Sequence, residues 1–394
     1  MKTTALRGAP RAPWRIIALA AAALLLAGCT AGAPTDPSES GTAGISTEVQ
    51  AAVDAAYAGT SGPLPETPTV ISPDHNVWVV SAFQQISGLA KIASEVEKGA
   101  DVLGWKSSVC DGQNDPNVWA TCVRQATAAG ADTIILAGVD CAPVAQAVTE
   151  AKEAGVVIAG ISAFDCDDPT QGGSASLFDV EPSYSEDFAT TADFFTRLGE
   201  LRADYIISTT NGNAKVLHVA FQGVSIGDYL AKGFVDQLAS CSGCEIVETV
   251  AVGPADVPNL RQMFETGLLK SAKANVIVAD LDFMLALGVQ PALEAAGISS
   301  DTVVLGGECT VDTIAFMRSG GGANSCIGFS NGRTAWSLLD GINRFRNGDA
   351  PAVSTIGWQL MDATNPEVWP AEGEPFEGPI DYSKGYSALW TAAG

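Results

Sequence analysis

The chain has 394 residues and nine cysteines, and its 45 acidic against 21 basic side chains give a formal charge of −24. This acidic excess disfavours nucleic acid and other polyanions as partners, because they are recognised by clustered Lys and Arg. By a prior of roughly 150 residues per domain, the length allows one large core or two smaller ones.

The first 28 residues are predicted to form a lipoprotein signal peptide. Four basic residues precede an apolar run over 16–26, which is too short for an ordinary transmembrane helix. The run ends at Leu26-Ala27-Gly28-Cys29, which resembles a bacterial lipobox, so Cys29 would become the lipidated first residue of the mature chain. Loss of the four positive charges takes the formal charge from −24 to −28. An ordinary secretory signal with a chance cysteine is the alternative.

We therefore expect an extracytoplasmic protein that is lipid-anchored to the outer face of a bacterial cell membrane and touches the membrane only through that anchor. Residues 29–73 are interpreted as the tether and an N-terminal extension. Within them, 31–44 are small and polar, as in a linker, and a short helix is predicted over 45–59. Gly and Pro then interrupt regular structure, so the globular part is expected to begin near Asp74.

From Val77 onward, apolar β-branched runs alternate with amphipathic stretches. Continuous apolar runs are typical of strands covered by helices on both faces. The fold class is therefore α/β, with two doubly wound parallel-sheet lobes and a ligand cleft at the carboxyl ends of their strands. Strands are predicted over 77–81, 105–109, 133–137, 156–161, 216–220, 246–250, 276–279, 302–305, 326–329 and 354–360. Helices are predicted over 87–103, 118–129, 143–154, 185–198, 228–239, 260–270, 285–296 and 334–346.

Eight cysteines remain besides Cys29, and an even number in an exported chain favours disulfides. Cys141 and Cys166 follow neighbouring predicted strands at matching ends, so we pair them. A zinc site is not expected, because the sequence has one CxxC pair and its two histidines are not clustered with it. Proximity favours the other three pairs, which are Cys110 with Cys122, Cys241 with Cys244, and Cys309 with Cys326.

Several motifs resemble those of the type I periplasmic-binding-protein superfamily, in particular the sugar-binding proteins of ABC importers related to ribose-binding protein. Residues 110–115 (CDGQND) resemble the family's D-x-Q-N-D motif, and 138–140 (GVD) resemble its P-x-D motif. Residues 281–284 (LDFM) resemble N-D-x-M, and 304–310 (VLGGECT) align with V-V-G-F-D-G-T. The order and spacing of these motifs, from about Val77 to Leu360, carry the resemblance.

The resemblance implies a ligand held between the lobes by polar side chains and aromatic rings. Capping of a helix is the alternative role for Asp140 and Asp165, and core packing is the alternative for Phe221. Where the family keeps an arginine after its fourth strand, this chain has Cys166. The residues implied as ligand contacts are Gln84, Gln85, Asp140, Asp165, Phe221, Gln222, Asp282, Glu308 and Asn331.

The resemblance also implies a three-stranded hinge, with crossings near 179–185, 330–333 and 347–352. The N-terminal lobe would then comprise 74–182 plus 331–350. The C-terminal lobe and tail would comprise 183–330 plus 351–394.

The predicted function follows from the fold and the charge of the cleft. A cleft lined by Asp140, Asp165, Asp282 and Glu308 without an evident arginine favours a neutral sugar or polyol, or a cation, over an anion. We expect a monomeric solute-binding lipoprotein that delivers its ligand to an ABC permease, without catalysis, cofactor or metal. A ligand-sensing subunit of the same fold is one alternative. A secreted hydrolase using a carboxylate pair such as Asp140 and Glu308 is another.

Overall fold

A computed structural model describes residues 45–188, 190–299 and 301–391, and these described residues belong to one compact unit. The predicted signal peptide, Cys29 and the first part of the tether lie outside the described residues. In the part of the chain that is described, no helix has both the length and the apolar composition that crossing a membrane requires.

Helices and strands alternate through most of the described chain. The strands are β1 (Thr69–Val70), β2 (Asn76–Ser81), β3 (Lys106–Asp111), β4 (Thr133–Ala137), β5 (Val157–Ile161), β6 (Lys215–Phe221), β7 (Glu245–Val252), β8 (Val276–Ala279), β9 (Val303–Gly306), β10 (Ser325–Gly328), β11 (Gln359–Asp362) and β12 (Trp390–Thr391). The helices are α1 (Thr47–Ala58), α2 (Ser87–Leu103), α3 (Pro116–Ala128), α4 (Ala145–Glu153), α5 (Thr191–Thr209), α6 (Ser225–Leu238), α7 (Leu260–Lys270), α8 (Asp282–Met284), α9 (Gln290–Ala296), α10 (Val311–Ser319), α11 (Asn331–Asn347) and α12 (Tyr382–Leu389).

Two parallel sheets form the two lobes. The N-terminal lobe has the strand order β3-β2-β4-β5, and the C-terminal lobe has the order β11-β10-β9-β8-β6-β7, in which only β11 is antiparallel to its neighbour. Every residue of β4 and β8 is buried, which explains their continuous apolar sequences. The predicted two-lobed α/β fold is confirmed.

Local signals place the helix ends. Asp115 caps α3 by accepting a hydrogen bond from the backbone N–H of Asn117, and Pro116 occupies the first turn. The helix predicted over 185–198 is wrong in its bounds, because Thr190 and Asp193 form a capping box that starts α5 at Thr191.

The N-terminal extension is part of the folded body, so the prediction that the globular part begins near Asp74 is wrong. Val49, Val53 and Ala56 of α1 are buried in the core of the C-terminal lobe. Farther along, β1 pairs with β12 in a separate two-stranded sheet.

The C-terminal tail also departs from its predicted place. Tyr386 and Trp390 are buried in the core of the N-terminal lobe, where Trp390 stacks on Trp336 at a centroid distance of 5.3 Å. The assignment of the whole of 351–394 to the C-terminal lobe is therefore wrong for its last part, α12 and β12.

Within the described residues, five segments pass between the two cores. Three of them, 181–183, 330–334 and 348–355, lie close to the crossings expected from the resemblance. The extension adds 59–63 and the tail adds 377–381. The expected three-stranded hinge therefore has two further connections.

The added N-terminal segment runs beside the crossing that follows α11. Thr60 N–H donates to the Trp358 carbonyl at 2.9 Å, and Gly62 N–H donates to the Thr355 carbonyl at 3.0 Å. This pairing explains why the strand predicted over 354–360 joins the sheet only from Gln359.

Arg333, in the first turn of α11, ties these segments together. Its buried guanidinium donates to the carbonyls of Gly62 at 2.9 Å and Pro63 at 2.8 Å, and its Nε donates to Ser354 Oγ at 3.2 Å. One side chain thus bonds to the extension and to the crossing after α11.

Four disulfides brace the lobes, and they join the pairs expected from the sequence. Cys110–Cys122 and Cys141–Cys166 lie in the N-terminal lobe. Cys241–Cys244 and Cys309–Cys326 lie in the C-terminal lobe.

Replacing Arg333 by Met should destabilise the chain. Loss of three hydrogen bonds from a buried charged donor should lower the free energy of unfolding by about 2 to 3 kcal/mol, measured by urea denaturation. Arg124→Met is the matched control, because Arg124 is exposed and paired only with Glu150, and it should have a much smaller effect. Equal losses in the two variants would contradict the role of Arg333.

Candidate functional site

A cavity between the lobes lies where the strands of both sheets end. Residues from both lobes line it, and most of them are apolar. We call it the apolar chamber. Its lining consists of Ala82, Ile86, Gly88, Leu89, Ile92, Asn114, Trp119, Gly138, Ser162, Phe221, Val224, Ile226, Pro254, Leu281, Phe283, Glu308 and Asn331.

A second cavity adjoins the first and shares Gly88, Glu308 and Asn331 with it. We call it the charged chamber, because Lys91, Glu308 and Glu377 all line it. Residues 373–377 of the C-terminal tail form part of its wall. The cleft is therefore built partly from the C-terminal tail, for which the sequence predicts no role.

Glu308 lies where the two chambers meet. It is half-buried, and its Oε2 accepts a hydrogen bond from Asp282 N–H at 3.4 Å. Burial and the nearby negative charge of Asp282 raise the pKa of Glu308 to about 7, against the opposing effect of Arg202. The other oxygen, Oε1, lies toward Gly88 and is available to a ligand.

The loop that carries Glu308 is held from below by Asp282. The Asp282 carboxylate is buried and accepts hydrogen bonds from the N–H groups of Gly307 and Thr310, the latter at 2.7 Å. Asp282, expected as a ligand contact, therefore does not line either chamber and instead shapes the loop beside it.

A buried arginine lies beneath this loop, which corrects the expectation that no arginine accompanies the acidic groups. Arg202 Nη1 donates to the Asp280 carbonyl at 2.7 Å, and its Nη2 lies under Gly307. The Asp280 carboxylate is in turn 2.7 Å from His218 Nε2 and accepts from Phe221 N–H at 2.9 Å. The acidic groups on the floor of the cleft are thus partly compensated.

Asp140 joins the two lobes instead of lining a chamber. Its Oδ2 accepts from the N–H of Ser225 at 3.1 Å and from the Ser225 hydroxyl at 2.9 Å, at the start of α6 in the other lobe. Its Oδ1 accepts from Phe164 N–H at 3.1 Å. Burial raises the pKa of Asp140 to about 6, against the effect of these hydrogen bonds. Asp140 thus caps a helix, which is the alternative role predicted from the sequence. The capped helix, α6, belongs to the opposite lobe.

Asp165 organises its own loop. Its carboxylate accepts backbone hydrogen bonds from Cys166 at 2.6 Å, Leu177 at 2.8 Å and Phe178 at 3.0 Å. The Sγ atoms of Cys141 and Cys166 lie close to it, but they are joined in a disulfide, so they are not free thiolates for a metal.

The remaining implied contacts divide between the cleft and the surface. Phe221 and Asn331 line the apolar chamber together with Glu308. Gln85 and Gln222 are exposed, and Gln84 bonds through its backbone N–H to Asp111 at 3.0 Å. The three glutamines do not line either chamber.

Sequence reasoning missed most of the chamber wall. Asn114 lies within the motif 110–115, which carries the family resemblance, but it is not among the predicted ligand contacts. Residues such as Leu89, Ile226 and Phe283 sit within or next to apolar segments, and no sequence signal separates them from core residues. The tail wall at 373–377 follows a Pro-rich stretch without a periodic pattern.

The raised pKa of Glu308 predicts a pH dependence of stability. At pH values between the usual Glu308 pKa of 4.5 and the raised pKa of about 7, Glu308 holds a proton in the folded chain and releases it in the unfolded chain. This group therefore lowers the free energy of unfolding as pH rises. Glu308→Gln should remove that contribution, so the wild-type melting temperature should fall more steeply over this range than that of the variant. The exposed Glu153→Gln should retain the wild-type slope, and an unchanged slope in Glu308→Gln would contradict the prediction.

Solved structures share this two-lobed fold, although no curated protein matches the chain. A solved 5-methylthioribose transporter solute-binding protein from Thermotoga lettingae has a TM-score of 0.63 and 16% identity, with 82% of this chain and 99% of that chain covered. The myo-inositol binding protein of Caulobacter has a TM-score of 0.62 and 20% identity, with 77% and 97% covered.

The binding-protein component of the arabinose ABC transporter of Shewanella sp. ANA-3 has a TM-score of 0.61 and 20% identity, with 80% of this chain and 97% of that chain covered. These identities establish similarity of fold. A family model described as a periplasmic binding protein domain matches residues 77–337. The chain, with its two α/β lobes and the cleft between them, therefore belongs to the periplasmic binding protein family.

Proposed function

We propose that the chain is an extracytoplasmic lipoprotein that captures a small sugar or polyol and delivers it to an ABC importer. Membership of the periplasmic binding protein family supports this proposal. Proteins of this family act outside the cytoplasmic membrane and bind solutes without transforming them. The three solved proteins named above are described as binding 5-methylthioribose, myo-inositol and arabinofuranose.

The position of Glu308 and Asn331 in the cleft is the observation that carries the proposal. Both residues line both chambers. Gly88 lies between them, and a Cβ at this position would lie 3.3 Å from Asn331 Nδ2 and 3.8 Å from Glu308 Oε1. Because glycine has no Cβ, the space between the two side chains stays open. An ionised carboxylate accepts hydrogen bonds from hydroxyls, and an amide both donates and accepts them. This pair suits a vicinal diol or an amino alcohol.

The charges of the cleft favour a neutral or cationic ligand. Lys91, the basic residue in the charged chamber, is already paired with Glu377 at 3.2 Å and with Glu95 at 2.9 Å. Arg202 lies beneath the loop and does not line either chamber. A carboxylate or phosphate would therefore meet Glu308 without a free cation nearby.

The N-terminal sequence supports the remaining parts of the proposal. Lipidation of Cys29 would leave residues 30–44 as a tether to the folded body that begins with α1. We propose that the protein acts as a monomer beside its permease and needs no metal or cofactor.

A ligand screen tests the capture of a sugar or polyol. The chain from residue 43 on should gain thermal stability with at least one member of a panel of pentoses, hexoses and inositols, and phosphorylated sugars should give no shift. For the sugar that binds, Glu308→Gln should weaken binding about tenfold or more by calorimetry at a pH above the Glu308 pKa of about 7, because the substitution removes a charge-assisted hydrogen bond from the ionised carboxylate. Glu153→Gln is the control. Stabilisation by anionic sugars alone would contradict the proposal.

Metabolic labelling tests the lipid anchor. The full chain, expressed in a bacterium that processes lipoproteins, should incorporate radiolabelled palmitate and sediment with membranes, whereas Cys29→Ser should do neither. Thr30→Ser, which leaves the cysteine in place, should behave like the wild type. Labelling of the Cys29→Ser chain would rule out lipidation at Cys29.

A further inference from the structure

The two chambers of the cleft differ in chemistry although they are continuous. Aliphatic and aromatic side chains from both lobes enclose the apolar chamber: Ile86, Leu89 and Ile92 on one side, and Ile226, Leu281 and Phe283 on the other. The charged chamber is lined by Lys91, Glu377 and Thr310. Glu308 and Asn331 stand at the junction.

Polar atoms on the wall of the apolar chamber are largely occupied by the protein. The indole N–H of Trp119 donates to the Ala82 carbonyl at 3.1 Å. The Asn114 amide donates to the Pro254 carbonyl across the cleft at 3.2 Å. A hydroxylated ligand that filled this chamber would lose hydrogen bonds to water with few replacements on the wall.

The apolar side chains of this chamber form a surface that suits an apolar group of a ligand. Phe221 and Phe283 pack edge to face at a centroid distance of 5.1 Å, and Leu89 lies against Gly138, where a Cβ would come within 3.0 Å of it. Gly138 has φ of +68°, so a side chain there would be strained as well. The glycine therefore lets the leucine reach the cavity.

In the charged chamber, the Glu308 carboxylate remains available. Among the described residues, the hydrogen bond that its side chain makes is the longer 3.4 Å contact with Asp282 N–H. Donors and acceptors for a hydroxylated group are thus concentrated at the junction and in this chamber.

We infer that the ligand is amphipathic: a sugar or polyol whose hydroxyl- or amine-bearing end binds at Glu308 and Asn331, and whose apolar substituent fills the apolar chamber. This inference rests on the proposed function, and it narrows the ligand to alkyl-, alkylthio- or aryl-substituted members of that class. Burial of the substituent supplies affinity that an unsubstituted sugar lacks.

Matched ligand pairs test the inference by calorimetry on the chain from residue 43 on. The pairs are D-ribose with 5-methylthioribose and D-glucose with phenyl β-D-glucoside. In at least one pair, the substituted sugar should bind ten times more tightly than its parent or better. Ile226→Thr should reduce that preference at least threefold, whereas Leu269→Thr, at a position that is 85% exposed, should leave it unchanged.

The outcomes separate this inference from the proposed function. If the parent sugars bind as tightly as the substituted ones, the inference is overturned and the proposed function stands. If no sugar or polyol of either the pairs or the wider panel binds, both are overturned. The comparison of pairs on the wild-type chain does not depend on the folding of any variant.

Discussion

The hydrogen bonds that the Asp282 carboxylate accepts are the constraint on which the cleft depends. They fix the N–H groups of Gly307 and Thr310 and so hold the short loop after β9 that carries Glu308. Cys309 in the same loop has φ of +55° and is joined to Cys326 of the neighbouring strand. Two independent ties therefore hold the loop at the carboxyl end of β9. Their result is a carboxylate aimed at the junction of two chambers.

The buried charges under this loop explain how several carboxylates share a small volume. Asp280 interacts with His218 and with the N–H of Phe221, and its carbonyl oxygen accepts from Arg202. Asp282 has its backbone donors. Glu308 has the weakest protein partner of the three, so the negative charge of Asp282 and the loss of water act on it most directly and raise its pKa. The group least satisfied by the protein is the one that lines both chambers.

The sequence was sufficient to predict the fold because several of its strands are buried on both faces. Runs such as residues 133–137 and 276–279 leave little choice but interior parallel strands. The termini were not predictable in the same way, since β1 has only two residues and α12 only eight. Their positions depend on contacts with distant parts of the chain, such as the stack of Trp390 on Trp336.

The site was less accessible to sequence reasoning for a related physical reason. An acidic residue after a strand has the same sequence signature whether its carboxylate lines a cavity, binds its own loop or binds a helix of the other lobe. Glu308, Asp165 and Asp140 are the three cases here. Apolar residues of the cleft resemble core residues in sequence, because both kinds are largely withdrawn from water.

The contact between the lobes buries apolar side chains and the Asp140 carboxylate, and these two contributions oppose each other. Burial of Ile226 and Leu89 between the lobes is favourable, whereas withdrawal of Asp140 from water is unfavourable, as its raised pKa records. The hydrogen bonds from Ser225 offset part of that cost. A ligand strengthens this contact only if it binds the two lobes together better than it binds either lobe alone. Contacts with walls from both lobes meet that condition, because neither lobe offers them alone.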